Sequence, residues 1–152
     1  MTTTNTMLAT PQLATGQARL QLALNVTDLE AAIGFYEKLF DTPVTKRRDG
    51  YANFAIANPP LKLVLFENTE GATINHLGVE VSSSLEVEAA TRRLNDEGLE
   101  PTAEEGVTCC HALQDKAWVT DPDGAPWEVY TVLADADTTA MEHASGCGPG
   151  CC

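Results

Sequence analysis

The sequence predicts an α+β fold of two βαβββ modules whose strands form one curved mixed sheet around a cleft. Two observations carry this. A strand pattern followed by a helix-capping signal occurs twice, with Gln21 and His76 at equivalent places 55 residues apart. Each helix is then followed by three strand-like runs. A repeat seen only twice is a duplicated module, not a solenoid.

In the first copy, Leu20-Gln-Leu-Ala-Leu-Asn-Val26 alternates as a strand. Thr27-Asp-Leu-Glu30 reads as a capping box, and Leu29, Ile33, Tyr36 and Phe40 recur at helical spacing. Thr42–Arg48, Tyr51–Ala57 and Leu61–Glu67 follow as strands, separated by an Asp49-Gly50 hairpin signal and an Asn58-Pro59-Pro60 turn. In the second copy, Asn75-His-Leu-Gly-Val-Glu-Val81 is the strand, Ser83-Ser-Leu-Glu86 the capping box, and Val87, Ala90 and Leu94 the helical stripe. Gly98 is a natural stop for that helix. The remaining runs are about Leu99–Ala103, Ala112–Thr120 and Trp127–Leu133, the last preceded by an Asp121-Pro-Asp-Gly124 turn.

The 152 residues make one ordinary domain. Residues 1–18 read as a disordered polar arm and 135–152 as a flexible Cys-rich tail. The body spans 19–134, with modules of about 19–68 and 74–134. Asp and Glu number 22 against 9 Lys and Arg, a formal charge of −13. Such a surface repels phosphate backbones and anionic lipid, so neither nucleic acid nor membrane is expected as a partner. No apolar run approaches the roughly 20 residues of a spanning helix. The five cysteines are Cys109, Cys110, Cys147, Cys151 and Cys152, so no disulfide framework organises the fold. Free thiols and a poor signal-peptide pattern make the cytoplasm the expected location.

Alternation separates two faces on each strand. Leu22, Leu24 and Val26 share one face and Gln21, Ala23 and Asn25 the other. Leu77, Val79 and Val81 oppose His76, Gly78 and Glu80, and the last strand places Glu128, Tyr130 and Val132 together. The apolar faces are seats for the helices. The polar faces either meet water or turn inward, where Gln21, His76 and Glu128 would converge on a metal; pattern alone leaves both open.

The paired modules and the Asp-Pro-Asp-Gly…Trp-Glu-Val-Tyr strand resemble the vicinal oxygen chelate superfamily, which includes glyoxalases and extradiol dioxygenases. A closer resemblance, covering the body from Arg19 to Ala134, is to the organoarsenical C–As lyases, a group often described together with cadmium-induced proteins. It is carried by residues 21–26, 50–57, 61–65 and 75–81, by Thr-Cys-Cys at 108–110 and by Gln-Asp-Lys-Ala-Trp-Val at 114–119.

This resemblance implies Fe(II) held by Gln21, His76 and Glu128, with O2 as co-substrate. One imidazole, one carboxylate and open positions suit non-haem Fe(II). The amide is the weak donor, so Ni(II), Zn(II) or another divalent metal is expected to replace iron on purification. The resemblance also implies that Cys109 and Cys110 grip a trivalent arsenic centre and point its C–As bond at the iron. Adjacent residues of a regular strand face opposite ways, so a loop or bulge after Gly106 must turn both sulfurs to one side. Glu104 and Glu105 would raise a nearby thiol pKa, with His111 and Lys116 as possible offsets. An oxidised Cys109–Cys110 pair would make activity redox-sensitive. Tyr130 reads equally as a cavity wall or a core residue. Lys116 would orient an anionic substrate group, although an exposed lysine is the plainer reading.

The implied reaction is O2-dependent cleavage of trivalent organoarsenicals such as methylarsenite and aromatic arsenicals, with release of arsenite. In the tail, Cys147, Cys151 and Cys152 are either inert or capture arsenic or metal. The main alternative is a thiol-bearing protein of the same fold that sequesters Cd(II) or As(III) without turnover. A glyoxalase fits less well, because Gln21 and the cysteine pair both depart from it. Monomer and homodimer are both compatible with the sequence.

Overall fold

The computed structural model describes residues 13–109 and 111–136. Two βαβββ modules follow one another: β1 (Ala18–Val26), α1 (Leu29–Phe40), β2 (Lys46–Arg48), β3 (Tyr51–Ile56) and β4 (Leu61–Glu67), then β5 (Thr73–Val81), α2 (Ser84–Asp96), β6 (Thr102–Cys109), β7 (Ala112–Thr120) and β8 (Pro126–Asp135). The strands form a single curled sheet in the order β2-β3-β4-β1-β5-β8-β7-β6. β1 and β5 pair antiparallel and join the modules edge to edge. Each is flanked on its other side by the parallel last strand of its own module, β4 or β8. One chain therefore completes the curved sheet.

Both helices begin on a side-chain cap. Asp28 Oδ1 accepts the Ala31 N–H at 3.0 Å, so the cap of α1 is Asp28 and not the expected Thr27. Glu30 does not fold back on the cap; it pairs with Arg47 of β2. Ser83 caps α2, and Glu86 accepts the Ser82 N–H at 2.9 Å. Leu29 and Ile33 of α1 are buried against Phe54, Ile56, Leu63 and Leu65, the helix-facing side of the first half-sheet. Each such fully buried side chain contributes about 1.5–3 kcal/mol. Among the described residues, no helix is long and apolar enough to cross a membrane.

Two strands differ from the sequence expectation for a local reason. The run from Thr42 bonds β3 only from the Thr45 amide onward and is strand from Lys46, because the Thr42 and Val44 amides are spent on the Glu37 carbonyl and carboxylate. The run from Leu99 starts at Thr102, because the Leu99 amide closes the end of α2 on Leu94. The strand β6 instead continues to Cys109, with a register shift between Glu104 and Val107 where Gly106 has φ +59°.

Candidate metal centre

Gln21 of β1, His76 of β5 and Glu128 of β8 lie on the concave side of three neighbouring strands and are all buried. Gln21 and Glu128 are both in register with Gly78. Gln21 Nε2 is 2.7 Å from Glu128 Oε1 and 3.0 Å from His76 Nε2, and His76 Nε2 is 3.2 Å from Glu128 Oε1. The glycine makes room for this. A Cβ there would sit 2.9 Å from Glu128 Cγ, 3.0 Å from its carbonyl oxygen and 3.3 Å from Gln21 Nε2.

The polar chain behind His76 fixes its ring. Asn25 Oδ1 accepts from Asn68 and Asn75, which leaves Asn75 Oδ1 facing His76 Nδ1 at 2.7 Å. Nδ1 is thus the donor, and in the neutral ring Nε2 presents a lone pair toward Glu128. The Gln21 amide NH2 donates to both acceptors, Glu128 Oε1 and His76 Nε2, and so fills the point where they meet. With the two ends of the Gln21 amide exchanged, the same point has three donors, two oxygens and one nitrogen. The three side chains therefore fit a divalent metal. Among the described residues no three His, Cys, Asp or Glu side chains form such a group, since the third donor here is an amide.

Lys116 is buried at 2% exposure, contrary to the exposed lysine expected from sequence. Its Nζ bonds Glu128 Oε2 at 2.9 Å and lies 5.3 Å from the Trp118 ring centroid. Burial alone would raise the Glu128 carboxyl, but the neighbouring His76 and Lys116 outweigh it and hold the group below its ordinary value. Trp118 meets the His76 ring edge-on at 5.5 Å, and Phe66 is 6.2 Å from it on another side. These rings shield the centre from water.

Tyr130 is both a core residue and a cavity wall: it is 1% exposed and lines the same cavity as the three donors. Its hydroxyl has no hydrogen-bond partner among the described residues. Burial, reinforced by Glu80 and Glu128, pushes its pKa well up, so it is a neutral donor.

Cys109 ends β6 as a buried residue and is disulfide-bonded. Cys110, Cys147, Cys151 and Cys152, with most of the predicted arm and tail, lie outside the described residues. The neighbouring His111 adopts φ +66°, its ring 5.0 Å from Tyr51. Its backbone oxygen is held by Lys46 Nζ at 2.6 Å, and the same ammonium pairs with Asp135 at 2.8 Å. Burial, then the Lys46 and Arg48 charges, lower the His111 pKa, so it supplies no positive charge to a neighbouring thiol.

Sequence reasoning missed Lys62, Asn53 and the buried Arg19–Glu80 pair on this same concave side. The signal was present for Lys62: in Leu61-Lys-Leu-Val-Leu65 it is the one charge in an apolar strand, and it shares register with Gln21. Burial, opposed by Glu80 and helped by Arg19, lowers its pKa.

A curled sheet of two βαβββ modules with a buried Gln–His–Glu cluster in its concavity defines a glyoxalase-like protein. The model of the Glyoxalase/Bleomycin resistance protein/Dioxygenase superfamily matches residues 19–129, and the chain belongs to that superfamily. It is 63% identical over 122 residues to the cadmium-induced protein CadI of Mycobacterium tuberculosis, covering 80% of each chain. It is 59% identical over 132 residues to the trivalent organoarsenical cleaving enzyme of Thermomonospora curvata, covering 86% of this chain and 87% of that one. Homoprotocatechuate 2,3-dioxygenase from Arthrobacter globiformis shares the fold with a TM-score of 0.56 at 21% identity, over 86% of this chain and 41% of that one.

Proposed function

We propose that the protein cleaves the carbon–arsenic bond of trivalent organoarsenicals, using Fe(II) and O2 and releasing arsenite. The observation that carries this reading is the convergence of Gln21, His76 and Glu128 within about hydrogen-bond distance in a buried concavity. The similarity to the Thermomonospora curvata enzyme supports it. When bound, Fe(II) would supply the redox chemistry with O2 that splits the C–As bond.

The chain's own residues supply the rest. Gln21, His76 and Glu128 would hold the metal at the wall of the cavity that they line. Lys116 keeps Glu128 ionised, and Asn75 fixes the His76 tautomer. Trp118 and Phe66 keep the surroundings apolar. Cys109 with Cys110, once reduced, would take the arsenic as a dithiolate and orient the bond to be broken. Their reduction consumes two electrons and two protons from a thiol reductant and breaks the disulfide in which Cys109 is engaged.

A second reading, non-catalytic Cd(II) or As(III) binding by the thiols, is favoured by the 63% identity to a cadmium-induced protein. Adding methylarsenite to reduced, Fe(II)-loaded protein separates the two. Oxygen uptake with arsenite release is expected; stoichiometric arsenic binding without oxygen uptake would leave only sequestration.

A further inference from the structure

The buried charges do not balance. Among the described residues three cations, Arg19, Lys62 and Lys116, are buried with two anions, Glu80 and Glu128. Arg19 Nε pairs with Glu80 at 2.6 Å and Lys116 with Glu128 at 2.9 Å. Lys62, 6% exposed, makes no hydrogen bond or ion pair to another described residue. Glu80, already paired with Arg19, attracts Lys62 without bonding it, and a buried charge with no bonded partner is costly. Nearby, the Tyr130 hydroxyl and Arg19 Nη2 are also buried without partners among the described residues. Lys62 and Tyr130 line one cavity with Gln21, His76 and Glu128.

We propose that Lys62 and Tyr130 form a receptor for a compact oxyanion group, a carboxylate or phenolate oxygen, on the carbon fragment of the ligand. An ammonium and a phenolic O–H are the donors that such an oxygen takes in charge-assisted hydrogen bonds. Strand order puts Lys62 on β4 and Glu128 on β8, with β1 and β5 between them. The anionic group thus docks between Lys62 of the first module and Tyr130, two residues beyond Glu128 on β8. Lys116 does not serve this purpose, being committed to Glu128. The proposal rests on the organoarsenical reading for the rest of the ligand.

The test compares phenylarsine oxide with 4-carboxyphenylarsine oxide by calorimetry on the reduced, metal-free full chain. The carboxylate is expected to tighten binding about ten-fold or more in the wild type. That preference should vanish in Lys62→Met and persist in Lys62→Arg. An equal preference in wild type and Lys62→Met, or none in the wild type, overturns the receptor. A second arm uses benzoate, which carries no arsenic, and reads the thermal midpoint. If neither arsenical binds, the organoarsenical reading fails and the benzoate arm decides the receptor. A rise in midpoint in the wild type that Lys62→Met abolishes sustains it; no rise overturns it.

Discussion

Gln21 Nε2 and Glu128 Oε1 meet at 2.7 Å across Gly78, the residue of β5 in register with both. A methyl group at position 78 would have to push both side chains apart, with the Glu128 carbonyl offering no flexible escape. Gly78→Ala is expected to cost about 1–3 kcal/mol of stability through overpacking. It should also weaken metal binding several-fold. Chemical denaturation and Co(II) titration check the two effects; a normal Co(II) affinity would show that the gap at Gly78 is not needed by the centre.

Removing the amide donor tests the ligand set directly. Gln21→Ala is expected to weaken Fe(II) binding by on the order of ten-fold or more, with the fold kept. Anaerobic equilibrium dialysis measures this. Unchanged affinity and activity in that variant would strike Gln21 from the set, leaving His76 and Glu128.

Lys62 makes a pH prediction. Burial holds its pKa below the ordinary 10.5 in the folded chain. Between the folded and unfolded values, the unfolded chain binds a proton that the folded chain has released, so this group makes stability rise as pH climbs through that window. Below that window both states are protonated and the full desolvation cost is present. Lys62→Met is therefore expected to be about 1–3 kcal/mol more stable than wild type at pH 7. The gap should narrow as pH rises toward 10. Urea unfolding at both pH values measures it; a less stable variant at pH 7 would mean that Lys62 has a partner in solution.

The cysteines separate ligand capture from metal capture. Cys109→Ser is expected to abolish organoarsenical cleavage and leave Fe(II) bound, because Cys109 is not among the three donors at the centre. Parallel assays of turnover and iron content decide it. Full turnover by the variant would end the dithiolate argument. Wild-type protein treated with an oxidant should lose turnover and regain it with a thiol reductant.

The module plan was legible because it is local. The two capped helices, the apolar stripes and the Gly50 and Gly124 turns each signal themselves within a dozen residues. The faces of β1, β5 and β8 followed from alternation. What alternation does not carry is neighbour order. Nothing in sequence says that β1 and β5 pair, or that β8 lies next to β5, and only that order brings Gln21, His76 and Glu128 together. The burial of Lys116 was hidden for the same reason: its partner is Glu128, twelve residues away on the adjacent strand. The cap at Asp28 was missed because Thr27 and Asp28 are both good capping residues, and the Thr27-to-Glu30 spacing favoured the wrong one.

The duplication that built the sheet also divides its labour. Parallel pairing sets Val64 opposite Ala23 in the first module as it sets Glu128 opposite Gly78 in the second. Val64 is therefore the counterpart of Glu128, an aliphatic residue where its twin carries a charge. Gln21 and His76 are counterparts of each other and serve either half equally. A single departure from symmetry at Val64 would thus tip a bound cation toward one half of the curled sheet and leave the other, with Tyr51, Phe66 and Lys62 on its wall, to receive a guest.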